Sequence, residues 1–332
     1  MTVIALDVGG TQIKAGVLAE DGSLIHGERR FTRAECGPDA VLDTVLACAV
    51  DLAREFAPTA AGIAVPGIVD EAAGTSVFSA NLGWRRVPVR EWLEEALEIP
   101  VAFGHDVRAG GLAEARLGAG RGCRSFLFVP VGTGIASAIM IDGKALTGRG
   151  GAGELGHLPV RPGGEPCPCG GRGCLETVAS ASAIARRYGA ATGVAGGSAE
   201  DVRQRAESGD AVAAAVWREA VDALADGLSA ATALLDPERI VIGGGLARAG
   251  APYFDPLRAA LAERSTFRTA PPVVPAELGH QAGCLGAALL AQDLARGLDR
   301  GLAGSPDRAG KPATRARRLH LLPRQTGGEV DE

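Results

Sequence analysis

TVIALDVGGTQIKAGVLAEDGSLI, residues 2–25, reads as strand, tight glycine turn, strand, turn and strand. Apolar residues dominate Val3 to Leu6 and Ile13 to Leu18, and Asp21-Gly22 supplies a hairpin turn. The design returns further along as SFLFVPVGTGIASAIMIDGKAL, residues 125–146, with a glycine turn between two β-rich runs and then Asp142-Gly143. Helical spacing follows each unit. DAVLDTVLACAVDLAREF, residues 39–56, and PVREWLEEAL, residues 88–97, trail the first, with a strand AAGIAVPGIVD between them. VAFGHD, residues 101–106, is a strand running into the helix VRAGGLAEARLG. After the second unit come ASASAIARRYG and the long DAVAAAVWREAVDALADGLSAATALL. PERIVIGGGLAR is then a buried strand entering a Gly-rich turn at a helix start, and CLGAALLAQDLARGL is a closing helix. Two similar units, each trailed by helices, imply a duplicated α/β architecture with a cleft between the halves. From about Gly301 the chain is poor in apolar residues, which reads as a disordered tail over 301–332.

The 332 residues suffice for one large domain or two ordinary ones, and 46% hydrophobic with 22% charged residues fits a globular protein with a real core. A net charge of −5 argues against a phosphate-backbone binder, so no nucleic-acid partner is expected. No run of about eighteen apolar residues appears, and the N-terminus has no basic stretch before its apolar run, so neither a membrane span nor a signal peptide is expected. Seven cysteines is an odd number, and Cys36, Cys48, Cys123 and Cys284 are scattered. The other three, Cys167, Cys169 and Cys174, lie in the Gly/Pro-rich stretch GHLPVRPGGEPCPCGGRGCLE, with His157 ten residues before the first. Without a secretion signal, such a cluster reads as metal ligands rather than disulfides, and the protein reads as cytoplasmic.

Three glycine turns follow apolar strands: DVGGT (Asp7–Thr11), VGTG (Val131–Gly134) and GGG (Gly243–Gly245). Glycine lets the backbone approach a ligand, and successive N–H groups form an anion-binding concavity. One such turn is an ordinary hairpin; three, one of them preceded by an acid, suggest a phosphate cradle. Asp7 there suits Mg²⁺ held through water, and Lys14 either adds positive charge or is a solvated strand lysine.

Taken together, DVGGTQIKAG, VGTGIASA, GELGH with CPCGGRGCLE, and IVIGGGLA resemble the ROK family of sugar kinases, within the actin–hexokinase–Hsp70 superfamily, over roughly residues 3 to 295. The resemblance implies an actin-like (ribonuclease H-like) ATPase fold of two α/β domains around a cleft. The first spans residues 1–118, the second 119–283, and the helix 284–297 packs back on the first. It implies ATP as cosubstrate, with Asp7, Gly9, Gly10, Thr11, Lys14, Gly132, Thr133, Gly134, Gly243, Gly244 and Gly245 on the nucleotide. It implies a structural Zn²⁺ on His157, Cys167, Cys169 and Cys174, a closed tetrahedral set with no position left for water. Sugar contacts would come from Gly67, Asn81, His105, Asp106, Glu154, His157 and Glu176, the second ring nitrogen of His157 being a fixed donor. Asp106 would be the general base, although its position alone suits a helix N-cap. Where the family reads NDANAAA, this chain has His105, Asp106, Val107 and Arg108. That places the acceptor's identity in question more than the reaction, and leaves Arg108 either lowering the pKa of the base or pointing to solvent. Trp84, beside Asn81, reads as core packing.

The activity these residues imply is ATP-dependent phosphorylation of a hexose, glucose to glucose 6-phosphate first. Fructose, mannose, N-acetylmannosamine and N-acetylglucosamine are alternative acceptors, and polyphosphate an alternative donor. A sugar-responsive regulator of the same family would carry a helix-turn-helix ahead of the first strand, where this chain has only Met1 and Thr2. A homodimer or homotetramer is expected.

Overall fold

A computed structural model of the chain describes residues 1–194 and 196–302; the tail expected over 301–332 lies, beyond residue 302, outside them. The elements in order are β1 (Val3–Val8), β2 (Gln12–Leu18), β3 (Leu24–Phe31), α1 (Pro38–Phe56), β4 (Ala60–Val65), β5 (Ile68–Asp70), β6 (Thr75–Ser79), β7 (Trp84–Val87), α2 (Val89–Leu97), β8 (Val101–His105) and α3 (Asp106–Leu117). Then come β9 (Ser125–Pro130), β10 (Ala138–Ile141), β11 (Lys144–Ala145), α4 (Leu175–Ala179), α5 (Ala181–Thr192), α6 (Ala199–Glu207), α7 (Ala211–Leu235), β12 (Arg239–Gly243), α8 (Ala251–Arg264), β13 (Val273–Pro275) and α9 (Ala282–Leu302).

The two glycine-turn units build two sheets of one design, β3-β2-β1-β4-β8 and β11-β10-β9-β12-β13. In each, the hairpin strands are antiparallel and the next two strands join in parallel. Every residue of β1 and β4 is buried, as expected of strands covered on both faces. One face of the first sheet packs Val41, Val45 and Leu52 of α1 and Leu93 of α2; the other packs Ala287, Ala288 and Ala291 of α9. The second sheet meets α4, α5, α7 and α8 on one face, and on the other its Phe126, Phe128 and Met140 meet the α3 side of the molecule. Helices α3 and α9 are therefore the layer between the sheets. They lie close because Gly286 has no side chain; a Cβ there would collide with the Ala109 backbone. The fully buried carboxylate of Glu114 accepts from Ala119 N (2.8 Å) and Leu278 N (2.9 Å), tying the end of α3 to the segment before α9.

Three details differ from the sequence reading. The closing helix starts two residues earlier than Cys284 and runs to Leu302. The Gly243–Gly245 turn enters a short 3-10 turn, Leu246–Ala249, and only then α8. A third sheet, β5-β6-β7, sits beside the first; its strands are three to five residues long, too short for a clear alternation of apolar positions.

Candidate active site

Because β1, β4 and β8 are parallel, their C-terminal ends share one edge, where open α/β sheets bind ligands. Asp7, the Val65–Gly67 bend and His105-Asp106 are all delivered there. Asp106 is the first residue of α3; the N-cap position expected of it falls to His105, which makes no side-chain cap bond, and Asp106 Oδ1 accepts instead from the adjacent Val107 N at 2.7 Å. Its side chain keeps 28% of its surface open. Burial pushes its carboxyl up to about 6, against the opposing pull of the Val107 N–H and the charges of Arg108 and Lys14. Asp7 is also raised by burial; Lys14 pulls it down, with Nζ 3.1 Å from Oδ2, while the charge of Asp106 pushes it up. Lys14 is thus a partner of Asp7 rather than a solvated lysine. A Cβ at Gly283 of α9 would lie 2.6 Å from Asp7 Cγ, so that glycine makes room for the carboxylate.

His105 is buried, and its pKa falls to about 4 through burial first and Arg108 second, with Glu154 and Glu71 opposing. It is neutral at physiological pH. Its Nδ1 lies 3.4 Å from Asp106 Oδ1 and makes no hydrogen bond among the described residues. Arg108 does not point to solvent: it is 3% exposed and ion-paired to Glu71 (Nε to Oε1, 2.8 Å).

In the first glycine turn, Gly9 N donates to Gln12 O (2.9 Å), and Thr32 braces the turn through Oγ1 to Gly9 O (2.6 Å) and N to Thr11 O (2.9 Å). In the second, Gly132 N donates to Gly134 O (3.0 Å), and Ser182 Oγ donates to Thr133 O (2.5 Å). The N–H groups of Gly10, Thr11, Thr133 and Gly134 donate to no other described residue, which leaves them free for an anion. The third turn abuts the second: Gly244 adopts φ +79° against the Val131 backbone, and Val131 N donates to Gly243 O (3.0 Å). Gly245 opens the 3-10 turn that follows.

The first two turns each back onto a candidate sugar ligand. Asn81, exposed, packs on Gly10, where a Cβ would lie 3.2 Å from Asn81 Cβ. Glu176 Oε2 accepts from Ile135 N (2.8 Å) and would be 2.5 Å from a Cβ at Gly134. Gly67, at φ +102°, folds against the backbone of Phe78 and Ser79. Glu154 precedes the short turn Leu155–His157 and acts electrostatically on His105. Trp84 is core: 1% exposed, with Nε1 donating to Pro38 O at 3.1 Å.

His157, Cys167, Cys169 and Cys174 converge, with one ligand atom from each within 4.8 Å of the others. The Cys167 Sγ to His157 Nδ1 distance is 3.6 Å and the Cys169 Sγ to Cys174 Sγ distance 3.7 Å. Zinc with Zn–S of about 2.3 Å and Zn–N of about 2.0–2.1 Å gives tetrahedral edges of about 3.5–3.8 Å, so the donor set fits that ion. All seven cysteines are free thiols. Burial, then the neighbouring thiols, push Cys174 up to about 12, whereas the Gly171 N–H lowers Cys169; a bound cation deprotonates such a set outright. The loop is bolted down by Arg161 Nη1 to Asp226 Oδ2 (2.7 Å) and Arg186 Nη2 to Glu165 Oε2 (2.6 Å).

Sequence reading did not find Glu71, Thr32 or Gly283. Their partners lie more than about 20 residues away, and no local pattern marks them.

The ROK family model matches residues 3–294. Glucokinase of Thermotoga maritima is 34% identical over 88% of this chain and 98% of its own, and N-acetylmannosamine kinase of Escherichia coli is 33% identical over 88% and 99%. Among solved structures, the ROK hexokinase of Thermus thermophilus superposes with a TM-score of 0.79 at 34% identity, covering 90% of this chain and all of its own. A ROK glucokinase of Streptomyces griseus, solved with glucose and AMPPNP, gives 0.78 at 31%, covering 88% and 100%. The actin-like ATPase fold and the family follow: the chain belongs to the ROK family.

Proposed function

We propose that this protein is a hexose kinase that moves the terminal phosphoryl group of ATP to a sugar hydroxyl, with glucose as the first acceptor and its 6-hydroxyl as the attacking group. The observation that carries the reading is Asp106: a carboxylate at a shared strand edge, open to the cleft, with a pKa raised to about 6. That value suits a base working near neutral pH. The division into a domain of residues 1–118 with the C-terminal helix and one of residues 119–283 is part of the same proposal, the cleft between them being the reaction site.

Asn81, Glu154, Glu176, the Gly67 backbone and the second ring nitrogen of His157 orient the sugar. Asp106 accepts the proton of the attacking hydroxyl as its oxygen bonds to the γ-phosphorus, and the bond from that phosphorus to the bridging oxygen breaks, leaving ADP. The amides of Gly10, Thr11, Thr133 and Gly134, with Gly9, Gly132 and the Gly243–Gly245 turn, hold the phosphates in line, which is most of what phosphoryl transfer needs from a protein. Asp7 faces Asp106, and the two acids have one lysine, Lys14, between them. This donor set suits Mg²⁺ held through water, which when bound neutralises phosphate charge. His157, Cys167, Cys169 and Cys174 would hold Zn²⁺, which supplies rigidity and takes no part in the chemistry.

His105 bears on the acceptor. A neutral, buried imidazole is bulkier than the family's asparagine, and acceptors differing at one ring substituent separate on such a contact. A coupled ADP-release assay over glucose, mannose, fructose, N-acetylglucosamine and N-acetylmannosamine, with ATP and polyphosphate as donors, tests the whole reading. Glucose with ATP is expected to give the highest kcat/KM. ADP release stimulated by no sugar of the panel would end the kinase reading; a preference for N-acetylmannosamine would change only the acceptor.

A further inference from the structure

The chain departs from its family pattern at Arg108, two residues past the base, and the structure surrounds that departure with specific partners. One oxygen, Glu71 Oε1, accepts from Arg108 Nε (2.8 Å) and from the His105 backbone N–H (3.3 Å), so a single carboxylate grips the chain on both sides of Asp106. Arg108 Nη1 donates to Gly150 O (3.1 Å). Gly150 belongs to the turn at residues 147–151 that follows β11 and leads to Glu154. At φ +97° it lies so close to the first half that a Cβ would sit 2.9 Å from Val69 O of β5. Three segments therefore meet on one guanidinium: the start of α3, the β5–β6 turn carrying Glu71, and the turn leading to Glu154.

We propose that Arg108, held by Glu71, is a positioning residue that locks the base Asp106 in register with the loop presenting Glu154 to the sugar. Arg108 does not touch the reacting atoms; it fixes the distance between the group that takes the proton and a group that holds the donor of that proton. A side chain of this length bridging both halves also makes the register depend on closure of the cleft. Lysine in its place keeps the charge but not the fork that serves two acceptors at once. The inference rests on the assignment of Asp106 as base.

The test combines steady-state kinetics and pH profiles for Arg108→Ala, Arg108→Lys, Glu71→Gln and Asp106→Asn. Asp106 is faced by Arg108 from its own helix, Asp7 from β1, Lys14 from β2 and His105 beside it; His105 is faced by Arg108, Glu154 and Glu71. Arg108 is a positive charge that favours ionised Asp106, so Arg108→Ala is expected to move the acid limb of kcat/KM to higher pH. It is also expected to lower kcat about 10–100-fold, the scale of a small misplacement of reacting groups. Arg108→Lys is expected to keep the limb where it is while still losing kcat. Glu71→Gln, which preserves shape, is expected to raise the hexose KM and lower kcat together, and it reads the brace even if Arg108→Ala does not fold. Wild-type constants in Glu71→Gln, or a uniform rate loss in Arg108→Ala with an unmoved acid limb, would overturn the proposal. Unimpaired turnover in Asp106→Asn would instead remove the base itself, a separate failure.

Discussion

The two glycine turns, residues 7–11 and 131–134, stand at the same point of sheets with the same strand order, yet their charges differ. The first is preceded by Asp7, paired with Lys14 and facing Asp106; the second is preceded by the apolar Val131. In place of its own acid, the second borrows Glu176 from the end of the cysteine loop, through Ile135 N. The shared part is backbone: free N–H groups at a hairpin bend, as an anion requires. The unshared part is the set of charged side chains, Asp7, Lys14 and Asp106, to which the proposed function gives the proton and the cation, and it is confined to the first half. The two halves thus share a backbone design, and side chains break the symmetry: the Asp7–Lys14 pair and Asp106 belong to the first half and Glu176 to the second.

The asymmetry breaks most completely at Asp106. Asp106→Asn is expected to lower kcat about 10²–10⁴-fold, the usual contribution of a positioned base, with the hexose Kd nearly unchanged by calorimetry. Next comes the cysteine loop, which has no counterpart in the first half. Cys169→Ser is expected to abolish stoichiometric zinc in metal analysis and to raise the hexose KM about 10–100-fold, with kcat at saturating sugar less affected. Wild-type KM in a protein free of zinc would detach the metal from the sugar site.

The turns themselves allow a finer test, because the first two back onto different residues proposed to hold the sugar. Gly134→Ala puts a methyl 2.5 Å from Glu176 Oε2, so the carboxylate must move; Gly10→Ala puts one 3.2 Å from Asn81 Cβ, a contact that a few tenths of an ångström relieves. The first is expected to raise the hexose KM on the order of tenfold and the second only a few-fold. Gly132→Ala, with open space at its Cβ, is expected to act on the ATP KM instead. Equal effects of Gly134→Ala and Gly132→Ala on hexose KM would mean the second turn does not distinguish sugar from nucleotide.

What the sequence discloses follows from the range of each interaction. The hairpins flanking residues 7–11 and 131–134 are local and were legible as apolar runs on either side of a glycine turn. The cysteine cluster was legible because three of its ligands fall within eight residues, and His157 joins them over only ten more. Asp106 was ambiguous for a physical reason: an acid at a strand-to-helix junction suits a cap as well as a base, and only the structure shows that the cap position is His105 while Asp106 begins the helix with a raised pKa. Glu71 and the burial of Arg108 were not legible, since their contacts span 37 and 42 residues and depend on β5, a strand of three residues.

The smallest expected effect concerns stability, and it ties the proposed base to its cost. A carboxyl titrates near 3.9 in an unfolded chain, and Asp106 is raised by burial to about 6 in the folded one. Below about pH 4 both states hold the proton and the residue is neutral to stability. As pH rises from about 4 to 6 the unfolded chain releases its proton first, so the folded state is progressively disfavoured, and above about 6 the penalty is constant. The penalty is on the order of 1–3 kcal/mol. Asparagine cannot ionise, and its Oδ1 can still accept from Val107 N, so Asp106→Asn removes the penalty while keeping that hydrogen bond. Asp7, raised in part by the charge of Asp106, relaxes in the same direction. The melting temperature of Asp106→Asn is therefore expected to match wild type near pH 4 and to exceed it by a few degrees above pH 6, for an enzyme that has lost its turnover. A difference in melting temperature that stays flat from pH 4 to pH 8 would mean that Asp106 titrates as an ordinary exposed acid, and the raised pKa that supports its assignment as base would be lost.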